Sequence, residues 1–243
     1  MTDIPPDHPR FKSLVVRETL VEMFKRGIVV PQGLIAHGRG ECFDYLIGEE
    51  TLEEALESYR AAAALLKMSK NPVIAVNGNA AALAYRDIAR FSRRFGIPIE
   101  VNLFHFDWDR VNKIVELFRS VGVEPIADFD VSLERPSSMR RFVSRRGIYS
   151  ADTIFIMIED GDFPESLRGL GKKVIAVDLN PLSRTAINSD ITIVDNLTRV
   201  FPILERYMEM IGDEEAVEIL NNYNNKEVLK RVLSRICVRL MEG

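Results

Sequence analysis

Between Gly33 and Gly48 the chain reads GLIAHGRGECFDYLIG. A histidine (His37), an arginine (Arg39) and two carboxylates (Glu41, Asp44) stand there among four glycines. Glycine lets backbone come close to a ligand and take positive φ without steric cost. Such a segment suits a polar site where a charged ligand meets groups of both signs. Leu34-Ile35 and Tyr45-Leu46-Ile47 would pin its two ends to a core. We therefore read it as a functional loop, against the commoner fate of a surface turn with solvated polar residues. It is not a P-loop, and Gly38-Arg39-Gly40 supplies only half of a dinucleotide fingerprint.

Other polar groups recur at the ends of apolar runs. Asn77-Gly78-Asn79 follows Val73-Ile74-Ala75-Val76, and Asn102 falls within Ile99–Leu103. Glu159-Asp160-Gly161-Asp162 follows Asp152–Ile158, and Asp178 to Ala186 follows Lys173–Val177. Asp195-Asn196 follows Ile191–Val194. Asn79 reads as a helix N-cap, where free N–H groups favour an anion; an ordinary capped turn is the alternative. The three carboxylates at 159–162 repel one another unless cations sit nearby. They could give Mg²⁺ one or two oxygens, or form a solvated turn.

The elements that must position these groups follow from periodicity. Helices are expected over about Phe11–Lys25, from the Thr51–Glu54 capping box to Met68, and over Ala81–Arg94, Asp109–Ser120, Pro164–Leu170 and Asn196–Met210. Arg17 shares the apolar face of the first helix with Leu14, Leu20 and Val21. It is an anion-binding candidate, or an arginine snorkelling at the stripe's edge. Pro125-Ile126-Ala127 reads as a short strand, and 128–150 as irregular and basic. Its cluster Arg140-Arg141 with Arg145-Arg146 is a solvated face or a phosphate site. In the tail, Leu229, Val232, Leu233, Ile236, Cys237 and Leu240 form one apolar stripe, with Cys237 a core or interface residue.

Alternating strands and helices imply an α/β fold with a mostly parallel sheet, three layers deep. Ligands in such sheets bind outside the carboxyl ends of the strands. The polar loops would then converge on one edge, and their N-caps and arginines point to a phosphorylated ligand, a nucleotide being the natural guess.

Composition agrees. The chain has 243 residues, 47% hydrophobic and 28% charged, which suits one large domain or two small ones. A net charge of −4 makes nucleic acid an unexpected partner. Two widely spaced cysteines make neither a disulfide framework nor a zinc site, and fit a reducing cytoplasm. No apolar run approaches membrane-spanning length. His8 and His105 are taken as structural.

The 33–49 stretch resembles that of the archaeal 4-phosphopantoate–β-alanine ligases, or phosphopantothenate synthetases. So do Val76–Asn79, Glu159–Asp162, Asp178–Arg184 and Asp190–Asn196. The resemblance runs from about Ile4 to Met210, with 128–150 weaker. It implies a ligase domain over 1–210 and a helical C-terminal extension over 211–243. It implies a Rossmann-like three-layer sandwich with a helical N-terminal segment, acting as a cytoplasmic homodimer. The implied reaction joins 4-phosphopantoate to β-alanine with ATP and Mg²⁺, through an acyl adenylate, in coenzyme A biosynthesis. The implied ATP site comprises Arg17, Arg39, Asp178, Leu179, Asn180, Arg184, Thr185, Asn196 and Leu197. Argued from charge, the catalytic group is His37, Arg39 and Asn79: Arg39 with Arg184 neutralises phosphate, His37 accepts the amine's proton or stabilises charge, and Asn79 with Asn77 fixes the substrate phosphate or the adenylate, with no protein metal ligand. Asp178 would accept from a ribose hydroxyl or the adenine amine. A phosphotransferase and a non-catalytic nucleotide sensor are the rival readings.

Overall fold

A computed structural model describes residues 4–242. Helix α1 (Phe11–Lys25) leads into α2 (Pro31–Ile47) and α3 (Glu53–Met68). Strand β1 (Pro72–Val76), helix α4 (Gly78–Phe95), β2 (Ile99–Val101) and α5 (Trp108–Arg119) follow. Then come the short strands β3 (Val131–Ser132) and β4 (Phe142–Val143), β5 (Thr153–Met157), α6 (Asp162–Gly169) and β6 (Lys173–Val177). The chain continues through α7 (Arg184–Asn188), β7 (Ile191–Ile193), α8 (Leu197–Met210), α9 (Asp213–Asn222) and α10 (Asn225–Glu242).

Five strands pair in the order β2-β1-β5-β6-β7, every pair parallel. Their residues alternate between two faces. Ile74, Val76, Phe155, Met157, Ile175 and Val177 belong to the larger core with α3, α4 and α8. Val73, Ala75, Ile154, Ile156, Val174 and Ala176 pack with Phe163 and Leu167 of α6, and with Val143 and Ile148. Both faces are covered, which is why these strands are nearly continuous apolar runs. The order reverses between β1 and β5, so the crevice of such a sheet opens at their carboxyl ends.

Several sequence expectations are corrected. The glycine-rich stretch is a helix, not a loop. Pro31 sits at its start, where a missing N–H costs nothing. Gly48 ends it at φ 91°. Gly33 is small for a reason: a Cβ there would collide with the Asn79 side chain. The capping box at Thr51 does not form, because Thr51 Oγ1 donates instead to Asp195 Oδ2 at 2.5 Å. Asn77, not Asn79, caps α4, accepting from the Ala80 N–H at 3.0 Å. At 125–127 only a bridge from Glu100 to Ile126 exists. The tail stripe docks through Leu229, Val232 and Ile236, but Cys237 is exposed and outside the core. The side chain of Leu240 lies outside the described residues.

Two buried polar nodes hold the layers in register. Asp195 accepts from Thr51, from Tyr59 Oη at 2.7 Å and from Arg199 Nε at 2.7 Å. Arg199 also reaches Asp44 on α2, whose other oxygen accepts from Asn196 Nδ2 at 2.7 Å. This clamp ties α2 to the β7–α8 turn. The second node is Glu100, wholly buried in β2. Its carboxyl accepts the backbone N–H groups of Ser144 at 2.8 Å and Ile148 at 2.5 Å, and so shapes the segment after β4.

Removing Arg199 leaves two buried carboxylates short of their cation. Arg199→Ala is expected to lose about 3 kcal/mol of unfolding free energy in a urea titration; a loss under about 1 kcal/mol would mean the clamp does not hold α2. Burial raises Glu100 from 4.5 to about 7. Between those values the native chain keeps a proton that the unfolded chain has released. Its contribution is therefore full at low pH and lost as pH rises towards about 7. Glu100→Gln should flatten stability against pH over that window by about 3 kcal/mol, and an unchanged slope would show that Glu100 ionises normally.

Candidate active site

Along α2, Gln32, Gly33, Ala36, His37, Arg39, Gly40 and Phe43 fall on one helical flank. That flank faces the carboxyl ends of the strands across a cleft of about 950 Å³. The opposing wall is Asn77-Gly78-Asn79 after β1, Ile158 to Asp162 after β5, Val177 to Asn180 and Ser183 to Thr185 around the β6–α7 turn, and Asp195 to Leu197 after β7. The convergence expected of a parallel sheet therefore holds except for Asn102, which does not line the cleft and instead bonds to Arg140. His37, Arg39 and the 178–185 segment share one cleft.

Asn77 knits the crevice at the switch point. Its Nδ2 lies within hydrogen-bond distance of Met157 O at 2.8 Å, Ile158 O at 3.0 Å and Glu159 Oε1 at 2.9 Å. Ile158 has φ 53°, a strained value for a β-branched residue, where the chain leaves β5. Asn79 lies two residues on: its Nδ2 donates to Gly33 O at 2.8 Å and seats α2.

The acidic trio separates. Glu159 is fully buried in its side chain and paired with Arg140, Nη1 to Oε1 at 2.7 Å. Burial pushes its carboxyl up to about 7, against the pull of Arg140 and Asn77. Asp162 pairs with Arg184 at 2.7 Å, and Asp160 is largely exposed on the cleft wall. No group of three potential metal ligands gathers among the described residues. A Mg²⁺ bound in the cleft would find in Asp160 an exposed carboxylate.

On the β6–α7 turn Asp178 organises its own loop. It accepts from the Asn180 N–H at 2.9 Å and from Ser183 Oγ, and burial raises its pKa. Thr185 Oγ1 donates to Glu159 O at 2.6 Å, joining this turn to the one after β5. A Cβ on Gly161 would strike Arg184, so the two turns are in direct contact. Asn196 caps α8 through the Thr198 N–H at 3.1 Å.

His37 is held below its ordinary pKa, first by burial and then by Arg17, with Glu41 pulling the other way. It is therefore a neutral imidazole at neutral pH. Arg39 is exposed at the cleft and has no ion-pair partner among the described residues. Arg17 does not line the cleft. Its anion is internal: Nε donates to Glu41 Oε1 at 2.8 Å, and Nη2 to Tyr45 Oη at 3.1 Å.

One cation and a histidine escaped the sequence reading, and a second cation entered it only as a member of the basic cluster, read as a solvated face or a phosphate site. Arg110 and Arg140 line the cleft almost fully buried, and His105, expected to be structural, lines it beside them. Arg140 turns into the cleft, held by Asn102, while Arg145 and Arg146 pair with Asp130 and Asp128 at the surface. The run of arginines was the only signal for it. Arg110 gave none, being one charged residue in an amphipathic helix.

A family model described as phosphopantothenate/pantothenate synthetase matches residues 54–239, so α9 and most of α10 lie inside the matched pattern. A 4-phosphopantoate–β-alanine ligase of Methanosarcina mazei is 48% identical over 97% of this chain and 95% of its own. Proteins of that name from Thermococcus onnurineus and Thermococcus kodakarensis are 43% and 42% identical, each over 99% of this chain and 94% of their own. With the family model covering most of its length and such relatives spanning nearly all of it, the chain belongs to the phosphopantothenate/pantothenate synthetase family.

Proposed function

We propose that this chain condenses 4-phosphopantoate with β-alanine, using ATP, to give 4′-phosphopantothenate, AMP and pyrophosphate in coenzyme A biosynthesis. The observation that carries the reading is the single cleft in which α2 sets a neutral imidazole and an unpaired guanidinium against the strand-end loops. The names of the curated relatives support the same reaction.

The acid's carboxylate attacks the α-phosphorus of ATP. A P–O bond forms as the bond to pyrophosphate breaks, leaving an acyl adenylate. Both reactants are anionic, so cations must offset their repulsion. Arg39 is free to do so, and Arg184 shifts from its surface pairs with Asp162 and Glu165. When bound, Mg²⁺ neutralises charge on the leaving pyrophosphate. The β-alanine amine then attacks the acyl carbon, forming the amide and expelling AMP. His37 accepts the amine's proton, for which its depressed pKa suits it.

Asn180, Thr185, Asn196 and Leu197 hold the nucleotide at the β6–β7 end of the cleft. Asp178 and Leu179 shape that end, since Asp178 already accepts within its own turn. Asn79 contributes by seating α2 above the reacting groups. Arg17 acts at one remove, fixing Glu41 and through it the flank that carries His37. Residues 1–210 carry the site, and the helices beyond brace it: Arg239 donates to Ile47 O at 3.2 Å, at the end of α2. We place the protein in the cytoplasm as a homodimer. The two reduced cysteines fit that compartment, and no helix among the described residues is long and apolar enough to cross a membrane.

Incubation with ATP, 4-phosphopantoate and β-alanine should release AMP and pyrophosphate. ADP would indicate a phosphotransferase, and no ATP consumption a nucleotide sensor. Arg39→Ala should lower kcat about 100-fold with the fold intact; unchanged kinetics would remove Arg39 from the mechanism.

A further inference from the structure

The basic segment 128–150 lies outside the five-stranded sheet, yet it delivers Arg140 to the cleft. What holds the segment is one face of the edge strand β2. Glu100 is wholly buried there. One of its oxygens accepts the Ser144 N–H at 2.8 Å, the other the Ile148 N–H at 2.5 Å. A Cβ on Gly147 would strike the same carboxyl, so the turn is wrapped directly onto it. Ser144 Oγ in turn accepts the backbone N–H groups of Asp128 at 3.1 Å and Phe129 at 3.2 Å. Among the described residues no cation bonds to Glu100, and Arg146 of the turn pairs with Asp128 instead.

Asn102 holds the other end of the segment. It continues the ladder of β2, its N–H donating to Val76 O at 2.9 Å. Residues two apart on a strand share a face, so Glu100 and Asn102 form one polar row. Asn102 Nδ2 donates to Arg140 O at 3.0 Å, and Asn102 O accepts from Arg140 Nη1 at 3.0 Å. Residues 140 to 148 are mounted on this row at both ends. Buried acceptors deprived of their donors are costly, so the segment cannot shift without leaving Glu100 unsatisfied. At its far end the Arg140 guanidinium meets Glu159 Oε1 at 2.7 Å, on the oxygen that Asn77 also holds.

Resting on the ligase reading above, we propose that Glu100 is a positioning residue for the reaction: by gripping the 144–148 turn it fixes where Arg140 enters the cleft. Its own carboxyl does not line the cleft and touches no reactant. The segment 128–150 is then the mount of a cleft-lining guanidinium. Displacing a reacting group's surroundings by about 1 Å costs up to about 100-fold in rate, which sets the scale of the effect.

The test is steady-state kinetics of the full chain with ATP, 4-phosphopantoate and β-alanine. Glu100→Gln keeps the shape and one acceptor but sets an NH₂ group against a backbone N–H. It should lower kcat/KM about 10-fold, and Glu100→Met, with no strong acceptor, about 100-fold. Gly147→Ala leaves every charge in place and only pushes the carboxyl aside, and should match the loss in Glu100→Gln. The route is read in an Arg140→Gln background, where Glu100→Gln should change kcat/KM less than about 2-fold. A carboxyl that serves stability alone would lower both backgrounds by the same factor, and that result overturns the proposal. So does unchanged kcat/KM in Glu100→Gln and Gly147→Ala. If the unsubstituted chain forms no AMP, the ligase reading falls, and amide hydrogen exchange of the same proteins decides Glu100 by itself. Faster exchange in Glu100→Gln that spreads from Ser144 and Ile148 to the Arg141 amide supports the mount. Exchange unchanged, or faster at 144–148 alone, sinks it.

Discussion

One amide side chain sets the shape of the cleft. Asn77 stands where the sheet changes direction, with its Oδ1 on the α4 cap and its Nδ2 against the carbonyls that end β5. A buried amide with its donors and acceptor engaged fixes two strands, one helix start and one turn against one another. From it hang the strained turn at Ile158, the inward carboxyl of Glu159, and through that carboxyl the position of Arg140. The turn after β6 is attached in its place by Thr185, bonded to Glu159 O. The wall facing α2 is thus one connected polar framework rather than a set of separate loops.

The charges on that framework are sorted by what neutralises them. Glu159 and Asp195 are buried and answered by Arg140 and Arg199. These pairs position the walls, though Arg140 Nε and Glu159 Oε2 stay without a hydrogen bond. Among the described residues Arg39 and Arg110 lack a carboxylate bonded to them, one exposed on the cleft and one nearly buried in it. In a low-dielectric cleft such groups attract anions more strongly than surface arginines do. On the proposed reading, a phosphorylated acid and a nucleoside triphosphate would bring negative charge to the cleft that Arg39 and Arg110 are placed to meet.

The sheet was legible because its strands are buried on both faces. Val73–Val76, Ile154–Met157 and Val174–Val177 are apolar without interruption and rich in β-branched residues. Once they were parallel, the convergence of the loops followed from geometry. α2 was illegible because its three internal glycines and mixed polarity leave no apolar stripe. It is helical because tertiary contacts at Gly33, Asp44 and Ile47 override weak propensity. Asn79 and Thr51 were misassigned by a single rule, that a polar residue near a helix start caps it. Asn79 bonds across to Gly33 and Thr51 to Asp195, both distant in sequence. Arg110 could not be found by pattern at all, since its meaning depends on the bare backbone of Gly78 brought beside it from another element.

The glycines of α2 have an effect on motion. Each costs the helix about 1 kcal/mol relative to alanine, and the amide bond at Gly33 and the cluster at Asp44 are its chief polar moorings. The strands beneath are buried on both faces, in two core clusters. Local opening should therefore begin at α2, with its amides exchanging hydrogen faster than those of β1, β5 and β6. A lid that breathes over a rigid floor gives substrates entry and products exit while the sheet stays folded.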